Sequence, residues 1–179
     1  MEMKNNNSKI GGFTLIELMV ALGVFMVVMT ITLSAFLNII DIQKKTEAFR
    51  KVNDNLNFAM EAMMREIREG TKYCPSGCAS GSFSFTNKDA DLIKYELDTG
   101  GNGGYVKRTK GLDIIRMTSD GIKITNLSFS TKGEATYASG DRQQPMATIS
   151  ISGESGEKEK LKSSLNLQAT VSQRKLDSQ

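Results

Sequence analysis

The sequence predicts an α+β protein: a long N-terminal helix, membrane-spanning in its first half, packed in its second half against a mostly antiparallel β-sheet domain. Three observations predict it. Residues 13–37 are almost wholly apolar; residues 41–69 keep a three-and-four spacing of apolar side chains; and residues 70–179 turn polar, rich in Gly, Ser and Thr, with short period-two alternations. In a chain of 179 residues this split describes an anchor and a cargo rather than two comparable domains.

The anchor comes first. Met1–Gly12 is polar, carries Lys4 and Lys9 against Glu2, and ends in Gly11-Gly12. The apolar run from Phe13 to Leu37 would be about 37 Å long as a helix, and the roughly 20 residues that a hydrocarbon core requires are exceeded. A secretory signal places its small-residue cleavage site after the apolar run. Here only Ser34 and Ala35 offer a weak site of that kind, whereas the glycine pair lies before the run, where cleavage would free Phe13 and leave the anchor intact. Lys4 and Lys9 favour a cytoplasmic leader and export of the remainder.

Glu17 is the anomaly of the anchor. A carboxylate inside a membrane segment costs about 2.5–3.5 kcal/mol on insertion scales and marks a functional residue whose partner must be named. A Phe13 amine freed by cleavage lies four residues away and can neutralise Glu17 of its own or a neighbouring helix. The alternative is a glutamate at headgroup level that reaches outward, which gives the Gly-Gly boundary no purpose.

Gly12-Phe13-Thr14-Leu15-Ile16-Glu17, opening a long apolar helix, resembles the class III signal of type IV prepilins and of type II secretion pseudopilins. The resemblance implies a pilin-like fold, cleavage after Gly12 by a prepilin peptidase, N-methylation of Phe13, and a role for Glu17 in subunit registration and assembly. The rest of the chain is similar, more diffusely, to the J-type minor pseudopilins and the related PilW and ComGF types of minor pilin. That similarity runs through Arg65-Glu-Ile-Arg-Glu-Gly70, Leu92-Ile-Lys-Tyr-Glu-Leu97, Tyr105-Val-Lys-Arg108 and Leu167-Gln-Ala-Thr-Val-Ser-Gln-Arg174.

Together these resemblances imply a minor (pseudo)pilin that primes or caps a type II secretion pseudopilus or a type IV pilus. Its partners would be the prepilin peptidase, other minor and major (pseudo)pilins, the inner-membrane assembly platform, the lipid bilayer before assembly, and secreted cargo or DNA. It would sit as a single-pass protein in the bacterial inner (cytoplasmic) membrane, its C-terminal domain exported to the periplasm or cell exterior, and enter the filament. The alternative is a recognition module delivered by the pilus to a surface, DNA or secreted cargo, with loops Asp98–Gly104 and Thr131–Gln144 as contact sites. The expected division is a leader over 1–12, a transmembrane and filament-core helix over 13–37, its amphipathic continuation over 38–69, and a β-rich domain over 70–179.

Beyond Asp41 the helix continues as a stripe of Phe49, Val52, Leu56, Ala59 or Met60, Met63 and Ile67, with Lys51, Asp54, Glu61, Arg65 and Glu66 mostly elsewhere. Neither Pro nor Gly interrupts residues 24–69, and Gly70 is a suitable stop. Strands are expected where alternation recurs: Ile93, Tyr95 and Leu97; Leu112, Ile114 and Arg116; Ile122 and Ile124; Leu127 and Phe129; Ala147, Ile149 and Ile151; Leu165, Leu167, Ala169 and Val171. Asp98–Gly104, Arg108–Gly111 and Ser119–Gly121 read as turns. Residues 131–145 and 152–161 read as loops, with Pro145 leading into a strand, and Lys175–Gln179 as a loose tail. One-sided alternation gives one wet and one dry face, so an antiparallel sheet laid on the Phe49–Ile67 stripe covers both apolar surfaces.

The chemistry-bearing residues are few. Histidine is absent, so no Ser-His-Asp or Cys-His arrangement forms. Nothing else argues for an enzyme, a cofactor or a metal. The glycines at 100, 101, 103 and 104 lack the Lys-Ser or Lys-Thr of a phosphate loop. Asp89, Asp91 and Asp98 have no chelating spacing, and the ten methionines lie mainly where flexible side chains fill packing gaps. Charges of both signs are interspersed at a net +3, giving no phosphate-binding stripe. Cys74-Pro75-Ser76-Gly77-Cys78 is half of a zinc site at most and has one residue too many for the dithiol redox motif, so a local disulfide is expected after export.

Overall fold

The computed structural model describes residues 12–74, 78, 81–100, 103–133, 143–156 and 158–175. Outside them lie residues 1–11 of the expected leader, the Pro75–Gly77 centre of the cysteine segment, Gly101-Asn102, most of the expected Thr131–Gln144 contact loop, and the tail beyond Lys175. The chain falls into two compact units, Met1–Ile42 and Gln43–Gln179. Among the described residues the main elements are one α-helix, α1 (Leu15–Glu69), and seven strands: β1 (Ser82–Thr86), β2 (Leu92–Asp98), β3 (Tyr105–Lys110), β4 (Asp113–Arg116), β5 (Lys123–Lys132), β6 (Met146–Ser155) and β7 (Ser163–Ser172). This is an α+β, pilin-like arrangement of a long helix and antiparallel sheets.

Within the second unit, α1 buries Ala48, Val52, Leu56, Ala59, Met60, Met63 and Ile67. These positions recur every three or four residues, as one helical face requires. The expected stripe is corrected at its start, where Ala48 takes the buried place and Phe49, one step round the helix, is 45% exposed. Gly70 ends the helix. Its N–H donates to Glu66 O at 3.0 Å, and a Cβ there would run into the Phe85 ring.

Two sheets, rather than the one expected, cover this face: a four-stranded sheet ordered β1-β2-β3-β4 and a three-stranded sheet ordered β5-β6-β7, antiparallel throughout. They meet where the Ile124 N–H donates to Gly104 O at 2.7 Å, an approach so close that a Cβ on Gly104 would overlap the Ile124 carbonyl. Phe83 of β1 stacks on Phe129 of β5 with centroids 5.2 Å apart, so the two sheets share one core with α1.

Several expected boundaries move. β1 was not anticipated, although Phe83 and Phe85 alternate with half-buried Ser and Thr and are fully buried. The runs around Ile124 and Leu127 are one strand, because a bulge between Ile124 and Asn126 absorbs the odd spacing and turns both side chains inward. β3 continues through Arg108 to Lys110, moving the turn to Gly111-Leu112, and β6 runs on to Ser155 before a 3-10 turn over Glu159–Leu161. β4 departs furthest: all four residues are exposed, and Leu112 at the hairpin tip is 99% exposed. Ile114 pairs with Thr109, which places it on the sheet face turned away from the helix, so the expected dry side of this run is wet.

β7 lies along α1 and is tied to it at both ends. Ser163 Oγ donates to Lys45 O at 3.1 Å, and the Arg174 N–H donates to Arg68 O at 2.7 Å. The helical rise between Lys45 and Arg68 and the strand rise between Ser163 and Arg174 are both about 35 Å. Equal lengths allow both ties to form together.

Candidate functional site

The first unit is built from local chemistry. Gly12, Phe13 and Thr14 are non-helical, and α1 starts at Leu15. Thr14 Oγ1 accepts the Glu17 N–H at 3.3 Å and its carbonyl accepts the Leu18 N–H at 3.2 Å, so Thr14 is the N-cap and Glu17 the third helical residue. The Thr-x-x-Glu spacing of a capping box is a signal for this boundary that the expected start at Phe13 passed over. It also gives Glu17 a place at the positive end of the helix dipole, where a carboxylate is favoured.

From Gly12 to Asn38 every residue is exposed, Phe13 and Leu15 included. Among the described residues α1 is the one helix long and apolar enough to cross a membrane, and its apolar window is 0% buried. Within the apolar helix Thr30 and Thr32 carry no loose polar group: Thr30 Oγ1 donates to Met26 O at 2.9 Å and Thr32 Oγ1 to Val28 O at 2.8 Å. Such back-bonding is what a hydroxyl needs in hydrocarbon. Nothing lies within 4 Å of a Cβ built on Gly12, so the described chain gives no internal reason for a glycine there.

The remaining sequence-marked residues lie in the second unit. Cys74 and Cys78 are joined by a disulfide with Cα atoms 5.1 Å apart. Asp91 pairs with Lys110 at 2.8 Å and Asp98 with Lys107 at 3.3 Å, so lysines occupy two of the three carboxylates Asp89, Asp91 and Asp98. Among the described residues no group of three or more His, Cys, Asp and Glu converges on a point.

A polar cluster that the sequence did not reveal joins α1 to the four-stranded sheet. Arg108 clasps Glu66 with two bonds, Nε to Oε2 at 2.9 Å and Nη2 to Oε1 at 2.7 Å, and Tyr95 Oη donates to the same carboxylate. Burial pushes the Glu66 carboxyl upward, but the Arg108 guanidinium and Tyr95 hydroxyl outweigh it and hold Glu66 below its ordinary value. Burial, and then the neighbouring carboxylate, raise Tyr95 far above a normal phenol; burial alone raises Tyr73 to about 12. Arg108 and Tyr95 thus both direct donors at the one Glu66 carboxylate. Glu66 and Arg108 are 42 residues apart and meet only because β2 and β3 cross the helix there. Beside them Phe58, Ala62 and Met117 line a shallow cleft of about 340 Å³.

The N-terminal segment carries the decisive pattern. Residues 7–33 match the prokaryotic N-terminal methylation motif. That match supports the type IV pilin and pseudopilin class, whose members are structural subunits, and it spans the Gly12–Phe13 boundary, the Thr14 cap and Glu17. No curated protein and no solved structure matches the chain.

Proposed function

We propose that this chain is a minor (pseudo)pilin, a low-copy subunit that primes or caps a type II secretion pseudopilus or type IV pilus. The observation that carries the reading is the methylation motif over residues 7–33, set on a helix whose apolar face is unburied along its first half. A prepilin peptidase cuts between Gly12 and Phe13 and removes leader 1–12. The open space around Gly12 supports an external reason for the glycine, namely fit to the peptidase. Phe13–Leu37 then stores the subunit in the inner membrane and later packs among other subunit helices, exchanging lipid contact for comparable apolar burial in the filament. Residues 38–69 continue the helix into the exported domain of residues 70–179.

Glu17 is the assembly residue. The new Phe13 amine and the first-turn amides supply the positive charge that its carboxylate lacks in lipid, in its own helix or in an adjacent subunit. The test is mass spectrometry of the protein recovered from its own membranes. An N-terminus at methylated Phe13, and a precursor retained when Gly12 is replaced by a bulky residue, support it; an intact Met1 terminus on functional filaments refutes it.

A further inference from the structure

The exposed apolar surface of α1 runs past Leu37: Ile39 is 51% and Ile42 64% exposed, and the exposed Lys44 and Lys45 follow at once. From Phe13 to Ile42 is about 45 Å of helix, which matches the roughly 40–45 Å of a bilayer with both headgroup layers. On this count Lys44 and Lys45 emerge where the far headgroups lie. Within the second unit the start of β7 meets the helix at the same level, because Ser163 Oγ donates to Lys45 O at 3.1 Å. Residues 158–162 lead into that tie through the 3-10 turn, with the Leu161 N–H donating to Lys158 O at 2.8 Å, and they carry Lys158, Lys160 and Lys162. Lysines from two distant stretches of chain therefore gather where α1 enters the unit.

The carboxylates nearby do not cancel this charge. Glu159 pairs with Lys162 at 2.8 Å, Glu47 with Lys51 at 2.9 Å and Glu154 with Lys123 at 3.8 Å, while Asp41 is half-buried. Among the described residues Lys44, Lys45 and Lys158 have no carboxylate partner and are exposed. We propose that Lys44, Lys45, Lys158 and Lys162 form a docking surface for the anionic phospholipid headgroups of the bilayer that holds the helix.

The occupant follows from chain continuity and charge. The helix that carries Phe13–Leu37 in lipid delivers Lys44 about 10 Å of helical rise beyond Leu37, within about one Debye length of the surface at 0.1 M salt. A lysine there keeps its aliphatic stem along apolar surface and its ammonium among phosphates. Each such residue strengthens attachment to an anionic surface about fivefold. The inference rests on the membrane reading of Phe13–Leu37 and adds that the exported domain itself grips the bilayer surface until the subunit is extracted.

The test is lysine acetylation by a neutral reagent, its initial rates read residue by residue by mass spectrometry. The full chain is reconstituted in nanodiscs of phosphatidylcholine, with and without phosphatidylglycerol. Lys72 and Lys88 are the internal controls: both are exposed, and Thr71 bridges to Thr86 beyond Glu69, about 36 Å of helix past Lys45. With phosphatidylglycerol, Lys44, Lys45, Lys158 and Lys162 are expected to react about fivefold more slowly, the controls unchanged, and about 1 M salt should abolish the difference. Equal rates in the two lipids would overturn the proposal. So would equal slowing at Lys72 and Lys88, which describes a diffuse field, or protection that is the same in both lipids and survives salt, which describes a second copy of the chain. A chain that fails to co-elute with the discs refutes the membrane reading as well, whereas one that co-elutes without lipid-dependent protection refutes this inference alone. Lys44→Glu with Lys158→Glu should remove the slowing at Lys45 and Lys162; should that variant not fold, the lipid comparison on the unaltered chain decides.

Discussion

Glu66→Gln removes a charge while keeping nearly the same side-chain volume, and so isolates what the Arg108 clasp contributes. The substitution leaves the Arg108 guanidinium, 15% exposed in its side chain, facing a neutral amide. Breaking a fully buried pair costs about 3–5 kcal/mol, whereas an exposed pair is worth about 0–1 kcal/mol. Glu66 is 36% exposed in its side chain, so solvent screens part of the interaction and a loss of about 2 kcal/mol is expected. For a folded unit of this size that lowers Tm by about 7 °C.

The pH dependence gives a second reading of the same pair. Glu66 is held below its ordinary 4.5 in the folded chain, so its contribution is complete above the unfolded value and is lost as pH falls through the folded one. The gap between the native chain and Glu66→Gln should therefore close in acid. The assay is thermal unfolding followed by circular dichroism in detergent at neutral and acid pH, with Arg108→Met completing a double-mutant cycle. A neutral-pH shift under about 1 °C, or a gap that persists in acid, would refute the argument.

Four further outcomes are expected. Stability should fall as pH rises above 10, because Tyr73, raised to about 12 by burial, and Tyr95 stay neutral in the folded chain after they would ionise unfolded; Tyr73→Phe should weaken that loss in pH-dependent unfolding. Gly153→Ala should cost about 1–3 kcal/mol in urea unfolding, since its Cβ would lie 2.9 Å from Leu56 Cδ1, while Gly121→Ala, where nothing lies within 4 Å, should cost far less. Leu56→Ala, at a fully buried position, should cost about 2–5 kcal/mol in the same assay. Glu17→Ala should insert into membranes normally yet be depleted from purified filaments relative to the native chain; equal recovery would argue against charge pairing during assembly.

Elements whose cause is local were legible from the residues. Helix α1 follows from an apolar run continued by a three-and-four spacing that ends at Gly70, and the disulfide was expected from two cysteines flanking Pro75 and Gly77. β2, β6 and β7 follow from alternation buried on one side. β1 was equally open to reading: Ser82-Phe-Ser-Phe-Thr86 alternates as plainly as β2, and so was the Thr14–Glu17 cap. β4 misled for a physical reason. Leu112, Ile114 and Ile115 are apolar, but alternation says nothing about whether a neighbouring element arrives to cover them.

What the sequence by itself determined is what short-range physics dictates: a membrane-length helix with a capped start and a carboxylate in its first turn, an amphipathic continuation, and strands marked by period-two burial. Only the tertiary structure decided that the strands divide into two sheets, that a bulge joins the two phases of β5, that Glu66 meets Arg108 across 42 residues, and that Thr71–Cys74 closes one sheet edge. The reason is that side-chain periodicity records which way a residue faces, whereas pairing, edge closure and long-range ion pairs depend on which segment lies opposite. That choice is made by the packing of the whole core.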